Sequence, residues 1–264
     1  MRRLDLPVFG EEKGESLLRM VRRSVIGEDE AVVGPFGIRK VIYADYTASG
    51  RSLSVIEDFL REAVLPLYAN THTESSGTGR QTTRFREDAR QIIRRAVGGS
   101  EDHAVIFCGS GSTGAIDRLI GVLNLRIPSD LDRQYALAAQ IPANERPVVF
   151  IGPYEHHSNE LPWRESICDV VTIHEDLHGG IDLEDLEQRL VEYEERPLKI
   201  GSFSAASNVT GITSPVRDVS ILLHRYDALA LWDFAAAAPY VSIEMGPRGA
   251  EGDDALDYKD AIFL

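Results

Sequence analysis

The chain has 264 residues, of which 43% are hydrophobic and 27% are charged, as in ordinary globular proteins. Its formal net charge of −14 argues against nucleic acid or an anionic membrane as the main partner. Two cysteines, Cys108 and Cys168, indicate no disulfide framework, and the sequence has neither a signal-like segment nor an apolar run of membrane-spanning length, so we expect a cytoplasmic protein.

The first part of the chain predicts an arm followed by helices. Residues 1–40 are charged and interrupted by glycines, which predicts an N-terminal arm with a short helix near 15–25. A short strand and a turn are predicted in VIYADYTASG, residues 41–50. Helical periodicity follows in 54–68 and, more clearly, in 84–98.

From residue 103 onward, short apolar runs alternate with helical segments. This pattern predicts an α/β fold with a mainly parallel sheet that is covered on both faces. Only a polar loop is predicted after the run PVVFIG. The predicted strands are HAVIFC (103–108), PVVFIG (147–152), CDVVTIHED (168–176), LKIGSFS (198–204), ALALWDF (228–234) and a last one beginning in KDAIFL (259–264).

Polar segments follow several of these strands. Ligands of parallel sheets bind beyond the carboxyl ends of the strands, so we expect these segments to converge on one edge. The segments are Ser110–Thr113, Glu155–Asn159, Ser207–Asn208 and Asp233.

The segment GSGSTG, residues 109–114, lies between a predicted strand and a predicted helix. Backbone N–H groups at the start of a helix, with hydroxyl groups nearby, favour a phosphate site. The segment also matches the dinucleotide pattern G-x-G-x-x-G, but no second strand ending in an acid follows, which weakens the hypothesis of a nicotinamide-dependent oxidoreductase. A capped turn without a ligand remains the alternative.

Two adjacent histidines, His156 and His157, follow another predicted strand. Adjacent side chains do not easily face one metal ion, so we predict no metal site there. A histidine that stacks on a ring or transfers protons is one hypothesis, and a solvated pair is the other. His103 and His224 are interpreted as structural residues.

Asp233 ends the apolar run ALALW and precedes four alanines. A carboxylate at the end of a buried strand needs a cation or a strong donor. The residues alone leave two interpretations: a cap for the alanine segment, or a counter-ion for a cationic heterocycle.

Taken in order, these motifs resemble the class V aminotransferase family, the fold-type I enzymes that depend on pyridoxal 5'-phosphate (PLP) and include cysteine desulfurases and selenocysteine lyases. The resemblance runs from Val41 to Leu264 and implies the large, PLP-binding domain of a three-layer α/β/α fold, an amino-acid substrate and a homodimer. The motifs that carry it are YADYTASG, ANTH, EDAR, GSGSTGAID, EHHSNELPW, SNVTG and WDFAAAAP.

The resemblance implies roles for individual residues. Gly111, Ser112 and Thr113 correspond to the turn that binds the cofactor phosphate. His156 corresponds to the residue that stacks on the pyridine ring, and Asp233 to the acid that keeps the ring nitrogen protonated, so that the ring serves as an electron sink. On this basis, His156 and Asp233 are the expected catalytic residues.

Further positions follow from the same resemblance. Asn208 corresponds to the donor to the ring hydroxyl, Ala235 to the residue packed under the ring, and His72 to a residue of the substrate pocket. Two positions depart from the desulfurase pattern, because Ala205 and Ala236 stand where a histidine and a glutamine are usual. We therefore expect a less characterised branch of the family.

Activity in this family requires a lysine that forms a Schiff base with PLP, so the positions of the lysines matter. In the family, the lysine that forms the Schiff base follows the strand that comes after the Asp233 strand. Lys259 precedes that strand instead. At ~3.3 Å per residue, Lys259 is about 17 Å from the expected position. The expected position of the Schiff-base lysine is not matched by Lys13, Lys40 or Lys199 either. We therefore expect a fragment that ends before its catalytic lysine, lacks the C-terminal small domain and an interior strand of the sheet, and is poorly stable and inactive alone. The alternative is a non-catalytic protein of the PLP fold with a partner-binding role.

Overall fold

The computed structural model describes residues 11–247, 249 and 251–264. The chain divides into two compact units, the first ending at Gln91 and the second running from Ile92 to Leu264. The sequence-based boundary between an arm, 1–40, and a large domain, 41–264, stays a prediction.

In its described residues, the first unit consists of helices and one hairpin, formed by β1 (Ala31–Gly34) and β2 (Gly37–Lys40). Its first helix confirms the helix predicted near 15–25, whereas the sequence did not predict the hairpin β1–β2. The predicted helix at 54–68 forms as α2 and continues through a π turn and a 3-10 turn to Leu67. The elements are α1 (Glu11–Ser24), β1 (Ala31–Gly34), β2 (Gly37–Lys40), α2 (Ser54–Phe59) and α3 (Gly77–Ala96), which extends past Gln91.

The strand predicted in 41–50 is wrong, because none of these described residues belongs to a strand. The segment folds on itself instead. Tyr43 Oη lies 3.1 Å from the carbonyl oxygen of Asp45 and 2.6 Å from that of Ser49, and the N–H of Ser49 also donates to Asp45. These local bonds occupy groups that a strand would use for its ladder.

The second unit contains, within the described residues, a five-stranded sheet in the order β4-β3-β5-β6-β7. All neighbouring strands pair in parallel, which confirms the predicted α/β fold with a parallel sheet. The strands are β3 (Val148–Ile151), β4 (Asp169–Thr172), β5 (Lys199–Ser204), β6 (Ala228–Asp233) and β7 (Ala261–Phe263). The helices are α4 (Gly111–Val122), α5 (Ser129–Tyr135), α6 (His157–Arg164), α7 (Leu183–Glu192) and α8 (Val216–Arg225).

Strand residues alternate between two apolar cores, because successive side chains of a strand point to opposite faces. In β3, Val148 and Phe150 pack on the face covered by α7 and α8. Val149 and Ile151 pack on the other face, against residues of α4 and α6. The sheet is therefore the middle layer of a three-layer α/β/α arrangement, as the sequence predicts.

Two predictions in this unit are wrong. Among the described residues 103–108, none is in a strand, and Ile106 is 68% exposed. An apolar run fixes a preference for extended backbone but does not supply a neighbouring strand. The polar loop predicted after β3 is instead the helix α6, whose Asn159 and Trp163 are buried one turn apart.

Candidate functional site at the carboxyl edge of the sheet

The strand register brings the expected polar segments to one edge. Ser204 at the end of β5 pairs with Asp233 at the end of β6, which in turn pairs with Phe263 of β7. The helices α4 and α6 begin at this edge, since side chains from their first turns bond to each other and to Asp233. The predicted convergence of these segments is confirmed.

The turn before α4 has a constrained backbone. Ser110 and Gly111 both have left-handed φ angles, 62° and 63°. A Cβ atom on Gly114 would lie 1.7 Å from the carbonyl oxygen of Gly109, so only glycine fits there without movement of the turn. Gly111 and Gly114 are therefore needed for the shape of the turn itself.

The first turn of α4 leaves its donors free for a ligand. Ser110, at the N-cap, makes no side-chain cap hydrogen bond. The backbone N–H groups of Gly111, Ser112 and Thr113 make no hydrogen bond to any residue that the structure describes. The alternative of a capped turn without a ligand finds no support in the hydrogen bonds of Ser110. Free N–H groups at the positive end of a helix fit an anionic group such as a phosphate.

Asp233 is only 5% exposed. Its Oδ1 accepts a hydrogen bond of 2.8 Å from Ser112 Oγ and one of 3.0 Å from the backbone N–H of Ala235. Within the described part of the chain, no residue bonds Oδ2. Because the residues after Asp233 form a turn and not a helix, the acid caps that turn with one oxygen and keeps the other free for a cationic group.

His156 is the N-cap residue of α6. Its Nδ1 accepts the backbone N–H of Ser158 at 3.2 Å and lies 2.8 Å from Ser158 Oγ. The same hydroxyl lies 2.6 Å from Thr113 Oγ1. The first turns of α4 and α6 are thus joined side chain to side chain, and the imidazole ring has a fixed partner.

Glu155 joins three elements beneath this edge. Its Oε1 accepts the backbone N–H groups of Gly152 and Ser204, and its Oε2 accepts Asn159 Nδ2 and Ser204 Oγ, at distances from 2.7 to 3.1 Å. Burial raises the pKa of the Glu155 carboxyl, and the four donors offset that rise only in part. Glu155 therefore holds the ends of β3 and β5 and the start of α6 together.

Asn159 extends this network into the core. Its Oδ1 accepts a hydrogen bond of 2.6 Å from Ser202 Oγ and lies 3.4 Å from the indole nitrogen of Trp163, which also donates to Ser202 at 3.1 Å. All three residues are fully buried. The carboxyl edge is therefore supported by a satisfied polar network and not by apolar packing alone.

Asn208 and Ala235 lie at the same edge and are exposed. Asn208 stands in a loop that Ser207 closes, because Ser207 Oγ accepts the N–H groups of Val209 and Thr210. No described residue bonds the Asn208 amide, which leaves it free for a ligand. The roles inferred for Asn208 and Ala235 from the family resemblance stay predictions.

His72 belongs to the first compact unit. It is exposed, has a left-handed φ of 66°, and its Nε2 lies 3.4 Å from Arg86 Nη1. The backbone N–H of His72 donates to Thr83 Oγ1 at 3.2 Å. Its assignment to a substrate pocket stays a prediction.

Two lysines of the second unit lie toward the opposite, amino-terminal edge of the sheet. Lys199 begins β5, pairs in register with Ala228, and donates to the carbonyl oxygen of Glu194 at 3.0 Å. Lys259 precedes β7 by two residues and donates to Asp257 at 2.7 Å. Both side chains are buried and hydrogen-bonded, and both lie toward the end of the sheet opposite to Asp233.

The described residues contain no group of three or more histidine, cysteine, aspartate or glutamate residues that would hold a metal ion. No helix in the described ranges is both long enough and apolar enough to cross a membrane.

The roles of Glu155 and Ser158 were not predicted from the sequence. Both flank His156 in a segment that follows a buried strand, and this position is the only signal that the sequence gives for them. Their partners Ser204 and Thr113 are 49 and 45 positions away, so spacing along the chain does not reveal the contacts.

Comparison with known proteins identifies the family. The family model described as "Aminotransferase class-V" matches residues 42–250. A probable cysteine desulfurase of Halalkalibacterium halodurans is 26% identical over 217 residues, 80% of this chain and 48% of that protein. A cysteine desulfurase of Synechococcus elongatus is 24% identical over 237 residues, 86% of this chain and 33% of that protein.

Solved structures show the same fold. An apo cysteine desulfurase from Thermococcus onnurineus has a TM-score of 0.64 at 20% identity, over 85% of this chain and 49% of that one. A NifS-like protein from Rickettsia africae has a TM-score of 0.61 at 18% identity, over 84% and 53% of the two chains. The chain thus spans about half the length of the first relatives that it matches.

Proposed function

Because the chain belongs to the class V aminotransferase family, whose members depend on PLP, we propose that the carboxyl edge of its sheet is a PLP site. The observation that carries this proposal is the position of Ser112. Its backbone N–H is one of the free donors at the start of α4, and its hydroxyl holds the buried carboxylate of Asp233. Ser112 therefore links the N–H donors that would bind an anion to the carboxylate that would face a cation.

Different residues of the site would bind different parts of the cofactor. The backbone N–H groups of Gly111, Ser112 and Thr113 would bind the phosphate. Asp233 would hold a proton on the pyridine nitrogen through its free Oδ2. Ser112 and the N–H of Ala235 keep Oδ1 in place, so the carboxylate does not rotate away.

His156 and Asn208 complete the proposed site. His156, fixed as the cap of α6, would stack on the ring, and the free amide of Asn208 would donate to the ring hydroxyl. Bound PLP supplies an electron sink for bond cleavage at an amino acid. The protein's part is to orient the ring and to keep its nitrogen protonated.

The proposed substrate of the whole protein is an amino acid, and the names of the relatives favour cysteine. His72 would contribute to the substrate pocket. Since this chain covers 48% of one of those relatives and 33% of the other, its own activity is a separate question from its ability to bind PLP. We include a homodimer in the proposal, to be checked by light scattering of the purified chain.

Equilibrium dialysis of the 264-residue chain against PLP tests the proposal. We expect saturable binding that Asp233→Asn weakens at least about tenfold, because the variant removes the charge that faces the pyridine nitrogen. Asp218→Asn, an exposed change on α8, serves as the matched control and should bind like the unmodified chain.

Two results would overturn the PLP site. One is the absence of saturable binding by a folded chain, which would favour a non-catalytic protein that uses this fold for a partner. The other is equal loss of binding in Asp233→Asn and in the control, which would indicate attraction by charge alone.

A further inference from the structure

We propose that Ser158 is a positioning residue, which fixes the ring of His156 with its proton on Nε2 and ties that ring to Thr113. The significance for cofactor binding rests on the proposed function. The contact geometry itself does not depend on a bound group.

In His156, the nitrogen that accepts a hydrogen bond is Nδ1. The backbone N–H of Ser158 points at Nδ1 over 3.2 Å, as in a helix cap. A ring nitrogen that carries a proton has no lone pair to accept this bond. Nδ1 is therefore unprotonated, and the proton of the neutral ring is on Nε2.

The hydroxyl of Ser158 donates its hydrogen bond to His156. Ser158 Oγ lies 2.8 Å from the same Nδ1, and since Nδ1 accepts, this hydroxyl donates to it. Its single proton is then used. In the 2.6 Å contact with Thr113 Oγ1, Ser158 must accept and Thr113 must donate.

These contacts form a chain with one direction, from Thr113 to Ser158 to His156. A proton on Nδ1 would break both hydrogen bonds from Ser158. The ring therefore presents an N–H donor at Nε2. The hydroxyl proton of Thr113 is already engaged, so the donors that α4 offers to an anion are its backbone N–H groups.

The direct test needs no PLP. Nitrogen–proton correlation spectra of the chain labelled with 15N-histidine report which ring nitrogen of His156 carries the proton, and the signals are assigned by their loss in His156→Gln. Ser158→Thr keeps the hydroxyl and should keep the Nε2–H pattern. Ser158→Val has the shape of the Thr variant without its hydroxyl, so Nδ1 keeps only the longer, 3.2 Å bond from the backbone N–H, and a fraction of His156 should shift to the Nδ1–H tautomer. His157, whose ring centre is 6.0 Å away, should not change.

An Nδ1–H pattern in the unmodified chain would overturn the proposal, and so would identical His156 spectra for the Thr and Val variants. Comparable urea midpoints for the two variants would show that the difference is not one of folding.

A second measurement separates this inference from the proposed function. If PLP binds, Ser158→Val and Thr113→Val should each weaken binding roughly 3- to 10-fold, and the double variant should lose less than the product. Fully multiplicative losses would contradict a connection through Ser158. If the spectra are as expected but PLP does not bind, the positioning role stands and the PLP site fails.

Discussion

Ser112 Oγ donates a hydrogen bond of 2.8 Å to Asp233 Oδ1, which joins the first turn of α4 to the end of β6 across 121 positions of sequence. Both residues are buried, at 8% and 5% exposure. A buried carboxylate requires such donors, because a charge without partners in the interior is costly. The bond makes the shape of the α4 turn and the orientation of the acid depend on each other.

Ser112→Ala should lower the free energy of unfolding by about 1–3 kcal/mol, since it removes a donor from a buried carboxylate. Ser112→Thr retains the hydroxyl and should lose much less. Urea denaturation of the two variants measures the difference. Equal stability of the Ala and Thr variants would show that the hydroxyl does not hold Asp233.

Gly114→Ala should distort the turn before α4, because the new Cβ would meet the carbonyl oxygen of Gly109. We expect a loss of about 2 kcal/mol or more in urea denaturation. Gly121→Ala in the same helix is the matched control: nothing lies within 4 Å of its Cβ position. It should stabilise the chain by about 0.5–1 kcal/mol. Similar effects of the two changes would contradict the close approach at Gly114.

Glu155→Gln should change how stability depends on pH. Burial raises the pKa of Glu155 in the folded chain above its ordinary value, so between these two values the folded state binds more protons than the unfolded state. The contribution of Glu155 to stability is then present below the ordinary pKa of glutamate and falls as pH rises through the raised pKa. Urea denaturation across this window should show the advantage of the unmodified chain over Glu155→Gln shrinking with pH. An advantage that grows with pH would mean that the four donors outweigh burial.

His224→Phe should destabilise the second unit by about 1–3 kcal/mol, because it removes the hydrogen bonds of a buried imidazole ring to Leu256 and Asp260. His224 Nδ1 lies 2.7 Å from the carbonyl oxygen of Leu256, and its Nε2 lies 3.0 Å from Asp260 Oδ2. Phenylalanine keeps a ring for the stacking contact with Tyr258, whose ring centre is 3.7 Å away. His178→Phe, at an exposed loop position, is the control and should change the urea midpoint little; a similar small change at His224 would show that the bonds contribute nothing.

The sequence predicted the central sheet well because its strands are short apolar runs bounded by turns. A run that is apolar on both faces is typical of a strand in a parallel sheet that is covered on both sides. The same rule failed at 103–108, where none of these described residues is assigned to a strand and Ile106 is exposed. It also missed α6, because a polar segment with an internal proline, Pro162, has no clear helical periodicity. In both cases the outcome depends on neighbours that are distant in sequence.

For the site, the order of residues along the chain sets which residue types stand at the carboxyl ends of the strands. Parallel strands all end at one edge, so the order of elements was sufficient to bring Asp233, His156 and the α4 turn together. The hydrogen bonds that connect these residues depend instead on how the elements pack in three dimensions. The contact of Ser112 with Asp233, at 2.8 Å, and that of Ser158 with Thr113, at 2.6 Å, join side chains of different elements. Hydrogen bonds of this kind depend on packing and direction, which local sequence patterns do not encode.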